Sequence, residues 1–212
     1  MNVQTHSPLH TAGFAHPRSN VEALGIEPGM LVADFGAGSG AYALHMAEVL
    51  KKAGRVYVID VQKDLLRRIH TEARKGGIDG AMEFIWGDLE VPGGSKIADH
   101  RLDLVLVSNL LFQVPDKHAI FREALRILKP TGRLAIIDWS DSFGGMGPRR
   151  EDVVKKDTAL ELATGSGFEL VREFHAGAHH YGLLLHHVST VEVEPVATVA
   201  VKSVDDAHVM NV

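Results

Sequence analysis

Acidic side chains that follow apolar runs, and one glycine-rich turn, are the residues of this 212-residue chain best placed to do chemistry. The run Val32-Ala33-Asp34-Phe35-Gly36-Ala37-Gly38-Ser39-Gly40 reads as a buried strand that ends in an acid and then in a turn opening a helix. Glycines at 36, 38 and 40 remove side chains where the backbone turns sharply and where a ligand approaches the main chain. The helix that follows offers unpaired N–H groups and the positive end of its dipole. Gly36, Gly38 and Ala41 satisfy the relaxed dinucleotide pattern G-x-G-x-x-G/A, so nicotinamide and flavin chemistry stays open at this point. Arg55-Val56-Tyr57-Val58-Ile59-Asp60 is a second apolar run ending in an acid. It lies roughly twenty residues past the glycines, where a ribose-binding carboxylate belongs. One carboxylate can accept from two vicinal hydroxyls together.

These residues need a sheet to bring them together. Met82-Glu83-Phe84-Ile85-Trp86 reads as a third strand ending at Gly87-Asp88, and residues 102–107 read as a fourth ending at Ser108-Asn109. The fifth strand is expected at 134–137, followed by Asp138-Trp139. Between the strands, Ala43, Met46, Ala47 and Leu50, then Leu65, Leu66, Ile69 and Ala73, then Phe121, Ala124, Leu125 and Leu128 recur at helical spacing. Gly76-Gly77 and Pro130 are read as helix stops, and residues 17–24 as a short first helix. Such alternation implies an α/β fold with parallel strands, right-handed crossovers and helices on both faces. Open sheets of this kind bind ligands outside the carboxyl ends of their strands, so the polar residues after four strands form one crevice.

Here the chain resembles the S-adenosylmethionine-dependent class I methyltransferases, over residues 14–187, and within them small enzymes related to the ubiquinone/menaquinone-biosynthesis methyltransferases. The resemblance rests on Asp34-Phe35-Gly36-Ala37-Gly38-Ser39-Gly40 as the first motif and on Gly87-Asp88 as the adenine-side acid. It rests also on the stretch 121–132 as the helix and turn before the fifth strand. Gly167-Phe168-Glu169-Leu170, then His179-His180-Tyr181-Gly182-Leu183-Leu184-Leu185, resemble the antiparallel pair that closes the sheet. A nicotinamide fold has no reason to end that way.

The resemblance implies a three-layer Rossmann-like fold, a mostly parallel seven-stranded sheet in the order 3-2-1-4-5-7-6. It implies methyl transfer from S-adenosylmethionine to a small molecule, releasing S-adenosylhomocysteine. Asp34, Gly36, Ala37, Gly38, Ser39 and Gly40 would cradle the cofactor, with Asp34 facing its cationic methionine end. Asp60 would take the ribose, Val61 and Gln62 would flank the adenine, and Gly87, Asp88 and Leu89 would address its polar edge. Asn109 stands where the fourth strand meets the reaction centre, and Asp138 is the candidate general base. Phe14, His16, Arg18, Phe112, Trp139, His180 and Tyr181 are candidates for the acceptor pocket. Two other readings remain: a cofactor-binding protein without catalysis, and an NAD(P)-dependent oxidoreductase.

Composition narrows the field. A net charge of −5 argues against a nucleic-acid surface, because phosphate backbones demand clustered Lys and Arg. With no cysteine, neither a disulfide framework nor a thiolate metal site is available. The thirteen histidines suggest metal at first sight. Neighbours on a strand point to opposite faces, however, so neither His179/His180 nor His186/His187 makes a simple pair, and no metal site is expected. No apolar run reaches membrane-spanning length and the N-terminus lacks a leader pattern, so a cytoplasmic protein without a membrane span is expected. Residues 1–13 are read as a loose arm and 14–187 as the domain. Val-rich alternation in 188–212 suggests a β-extension, a candidate for packing on the domain or for pairing with a second copy in a homo-oligomer.

Overall fold

A computed structural model describes residues 15–51, 53–143, 145 and 147–188. The expected arm, and all but Val188 of the expected extension, lie outside the described residues, as does Phe14. The chain alternates α1 (Pro17–Ala23), β1 (Leu31–Phe35), α2 (Ala41–Leu50), β2 (Arg55–Asp60), α3 (Lys63–Lys75) and β3 (Met82–Trp86). It continues with β4 (Leu102–Ser108), α4 (Lys117–Ile127), β5 (Leu128–Trp139), α5 (Lys156–Gly165), β6 (Phe168–Gly177) and β7 (His180–His187).

The strands form one seven-stranded sheet in the order β3-β2-β1-β4-β5-β7-β6. β1 to β5 are parallel, and β7 runs antiparallel between β5 and β6. Central strands such as Leu102–Ser108 are apolar on both faces because helices cover both. On one face α4 and α5 pack through Phe121, Ile127 and Ala163 onto Phe35, Val105 and Leu183. On the other, α1, α2 and α3 pack through Val21, Met46, Leu50 and Ile69 onto Val32, Val58 and Leu106. Alternation along β1 therefore sends Asp34 toward the α1–α3 face, while Phe35 goes to the α4–α5 face. Among the described residues no helix is long and apolar enough to cross a membrane, and no group of three or more His, Cys, Asp or Glu could hold a metal.

Two boundaries differ from expectation. α4 stops at Ile127 rather than running to Pro130, and β5 begins at Leu128 rather than at 134. The residue before a proline is pushed out of the helical region, and Leu128 finds a ladder partner in Leu102, with a register shift before Leu104. Residues 91–95 are held by Glu123 of α4. This buried carboxylate accepts from Ser95 N at 3.0 Å and Gly93 N at 3.1 Å and is braced by Arg126. Burial pushes the Glu123 carboxyl up, but these hydrogen bonds outweigh it and hold it below the usual range.

Candidate functional site

The turn after β1 is built by backbone conformation before any ligand is considered. Gly36 has φ +67°, and a Cβ there would stand 2.7 Å from Leu110 Cδ1, so a side chain is excluded twice over. Gly40 caps α2 at φ +79°, and its missing Cβ leaves room for Ile69 of α3, which a Cβ would approach to 2.6 Å. Gly40 is thus explained by helix packing rather than by ligand approach. The N–H of Gly36 donates to Ile59 O at 2.9 Å and that of Ala37 to the same oxygen at 3.1 Å, tying the turn to β2.

Asp60, at the end of β2, joins the two turns. Its Oδ2 accepts from Gly38 N at 3.0 Å and its Oδ1 from Gln62 N at 2.8 Å. A carboxylate has about four lone-pair sites, so each oxygen keeps one for a further donor. Beyond β3, Asp88 Oδ1 accepts from Glu90 N at 3.0 Å, and its Oδ2 makes no hydrogen bond among the described residues. Gly87 packs so closely that a Cβ would lie 2.1 Å from Gly94 O.

These turns wall a cleft of about 220 Å³. Gly36, Gly38, Asp60, Val61, Gln62, Gly87, Asp88 and Leu89 all line it, as the sequence predicted for a shared crevice. Asp34, Ala37, Ser39, Gly40 and Asn109 do not. Leu65, Glu90, Leu110, Gln113, Val114 and Ile120 line it as well, none of them among the cofactor-binding candidates named from sequence. Leu65 was readable only as part of the apolar stripe of α3, and the others follow strands or start α4 with no motif to mark them. Among the described residues the charged ones of the cleft wall are Asp60, Asp88 and Glu90, with no Lys or Arg.

Asp34 sits deeper, beneath the first turn of α2. Its Oδ2 is buried without a partner, and burial pushes its carboxyl up to about 7. Tyr42, in that same turn, accepts from Asn20 Nδ2 at 3.0 Å, and Asn20 also donates to Ala176 O at 2.9 Å, which clamps α1 across α2 and the end of β6. Asn109 adopts φ +51°, a left-handed conformation that Asn tolerates better than most residues. Its N–H continues the β5 ladder to Ile137 O at 2.8 Å, while its side-chain oxygen is buried and unpaired.

The other sequence candidates separate clearly. Asp138 is buried, with its carboxyl raised to about 7 by burial, but both oxygens accept backbone N–H groups, from Trp139 at 2.8 Å and Leu111 at 3.0 Å. It holds the turn after β4, and each of its oxygens keeps one lone pair. Tyr181 points to the α4–α5 face and donates to Val154 O at 3.0 Å, so its hydroxyl is committed to the core. Phe112 packs against that same core. Arg18 is exposed and pairs with Glu48 near the far end of α2, and the structure does not bring it to the cleft. His16 is exposed at the start of α1. Trp139 and His180 do meet, as cross-strand neighbours with ring centroids 4.3 Å apart.

The wall chemistry discriminates between nucleotides. A dinucleotide would set two phosphates against a wall whose only charges are carboxylates, which is electrostatically unfavourable. A nucleoside with a cationic end suits the acidic wall and the unpaired oxygen of Asp34.

Residues 26–143 match a family model described as a methyltransferase domain. The ubiquinone/menaquinone biosynthesis C-methyltransferase UbiE of Shewanella woodyi is 28% identical over 123 residues, covering 58% of this chain and 48% of that protein. The chain thus spans about half the length of the curated relatives it matches. Among solved structures, a SAM-dependent methyltransferase from Aquifex aeolicus superposes with a TM-score of 0.73 at 24% identity, over 82% of this chain and 90% of that one. The [4+2]-cyclase SpnF superposes with 0.68 at 17% identity, over 81% of each chain. At these identities the structural likeness speaks for the fold, while the family match covers more than half of the sequence. The chain belongs to the methyltransferase-domain family.

Proposed function

We propose that this protein transfers a methyl group from S-adenosylmethionine to a small-molecule acceptor, and that its cleft holds the adenosine part of the donor. The acidic wall of the cleft carries the reading: Asp60, Asp88 and Glu90 suit an uncharged nucleoside and oppose a pyrophosphate. Asp60 accepts from the ribose hydroxyls through the lone pairs left over from Gly38 and Gln62. The free oxygen of Asp88 accepts from the adenine amine, and Leu89 closes the ring's apolar edge. Asp34 faces the cationic methionine end, whose charge would draw its raised pKa back down.

The bound donor supplies a methyl carbon already activated by its sulfonium sulfur. The protein's part is to hold an acceptor in line behind that carbon and to keep water out. Asn109 and the turn after β4, pinned by Asp138, form the floor where this alignment happens. The test is release of S-adenosylhomocysteine from S-adenosylmethionine in the presence of metabolite mixtures. Acceptor-dependent release is expected, and a protein that binds the donor yet never turns it over would support a binding role instead.

A further inference from the structure

His180 is the most conspicuous polar side chain left without work. It is 5% exposed, yet neither ring nitrogen has a hydrogen-bond partner among the described residues. A neutral imidazole carries one N–H donor and one lone-pair acceptor, and burying both unpaired costs roughly 1–3 kcal/mol each. Native proteins rarely leave such groups unpaired, and a ligand, an ordered water or a catalytic role supplies the missing partner. The position fits such a ligand. His180 opens β7 opposite Trp139, the last residue of β5, so both lie at the carboxyl edge of the sheet. It shares the α1–α3 face with Asp34, while Asp138 and Tyr181 are turned to the opposite face. Gly147 lies against the Trp139 ring, where a Cβ would come within 2.8 Å.

We propose that His180 is the residue that binds the methyl acceptor, and that the acceptor is an uncharged molecule presenting a hydroxyl to the imidazole. This rests on the methyltransferase reading above. In the transfer, the hydroxyl oxygen bonds to the methyl carbon as the carbon–sulfur bond breaks and its electron pair stays on sulfur. The hydroxyl proton passes to the lone-pair nitrogen of His180 and from there to solvent.

The surroundings favour a neutral acceptor. The charged neighbours that act on His180 are His179 and Asp141, and these two pair with each other at 2.9 Å. Burial lowers the His180 pKa to about 4, so the ring is uncharged and its lone pair available at neutral pH. A carboxylate acceptor would find its cations at Arg150 and Lys155, in an exposed cleft that also holds Ser140 and Asp141.

The experiment uses the full chain saturated with S-adenosylhomocysteine, uniformly ¹⁵N-histidine labelled, and titrated with phenol, benzylamine and benzoate. The His180 ring signals, assigned with His180→Gln, are expected to shift with phenol and to stay fixed with benzoate. In parallel, His180→Phe should bind S-adenosylhomocysteine within about threefold of the parent. Its methyl transfer to phenol should fall at least tenfold, with Arg150→Ala unaffected. Failure of the parent to bind S-adenosylhomocysteine would sink the methyltransferase reading itself. Binding of S-adenosylhomocysteine without a response of His180 to phenol overturns this proposal alone. So does a benzoate response that Arg150→Ala abolishes.

Discussion

At the β1–β2–β3 end of the sheet's carboxyl edge, the polar groups facing the cleft are engaged in the fold, with Asp88 Oδ2 the exception. Asp60 bonds two backbone N–H groups, and Gly36 and Ala37 share the carbonyl of Ile59. At the β4–β5–β7 end, Asp138 and Tyr181 are tied into the fold, but the Asn109 side-chain oxygen and both His180 nitrogens are buried without a partner among the described residues. The first end is set before a ligand arrives, so its affinity loses little to reorganisation. The second awaits partners from outside the protein, which is the pattern expected where a variable substrate is recognised.

Breaking the preorganised end should have the largest effect. Gly40→Val forces a β-branched residue to φ +79° and into Ile69, and should cost about 3 kcal/mol or more of unfolding free energy in denaturant titration. A variant as stable as the parent would show that Gly40 is not needed for packing.

Asp34 is the buried, unpaired acid of β1, and its pH dependence sharpens the contrast. With its folded pKa raised to about 7, the folded protein keeps a proton that the unfolded chain has lost above about pH 4. Its contribution is therefore fully present below pH 4 and lost as pH rises toward 7, by an amount on the order of a few kcal/mol. Asp34→Asn should flatten that limb of the stability profile measured by thermal or chemical unfolding. An unchanged slope would mean the carboxyl is better solvated than its burial implies.

Asp60→Ala should weaken S-adenosylhomocysteine binding by about ten- to a hundredfold, from the loss of 1–3 kcal/mol of charged hydrogen bonding. Its stability should fall less, because Gly38 and Gln62 N–H groups can turn to water. Smallest of all, Tyr181→Phe should cost about 1 kcal/mol of stability through the lost bond to Val154 O, with cofactor affinity unchanged. A large effect of Tyr181→Phe on binding would return that residue to the acceptor side.

The same contrast explains what was legible in the sequence. The donor side was readable because its chemistry sits in local signals: glycines at alternate positions, and acids at the ends of apolar runs such as Ile59-Asp60 and Trp86-Gly87-Asp88. The strand order followed from the family resemblance, and the sheet has it. The acceptor side depends on which face a residue takes and on partners far away in sequence. Nothing local says that Tyr181 reaches Val154 or that Asp138 is occupied by Leu111. Gln113 and Val114 reach the cleft only because the turn after β4 folds back over it. The early start of β5 likewise hangs on a long-range pairing of Leu128 with Leu102.

The most direct measurement is calorimetric titration of the full chain with S-adenosylhomocysteine and, separately, with NAD. The acidic cleft predicts saturable binding of S-adenosylhomocysteine in the micromolar range and none of NAD. Binding of NAD without binding of S-adenosylhomocysteine would contradict the assignment of the cleft.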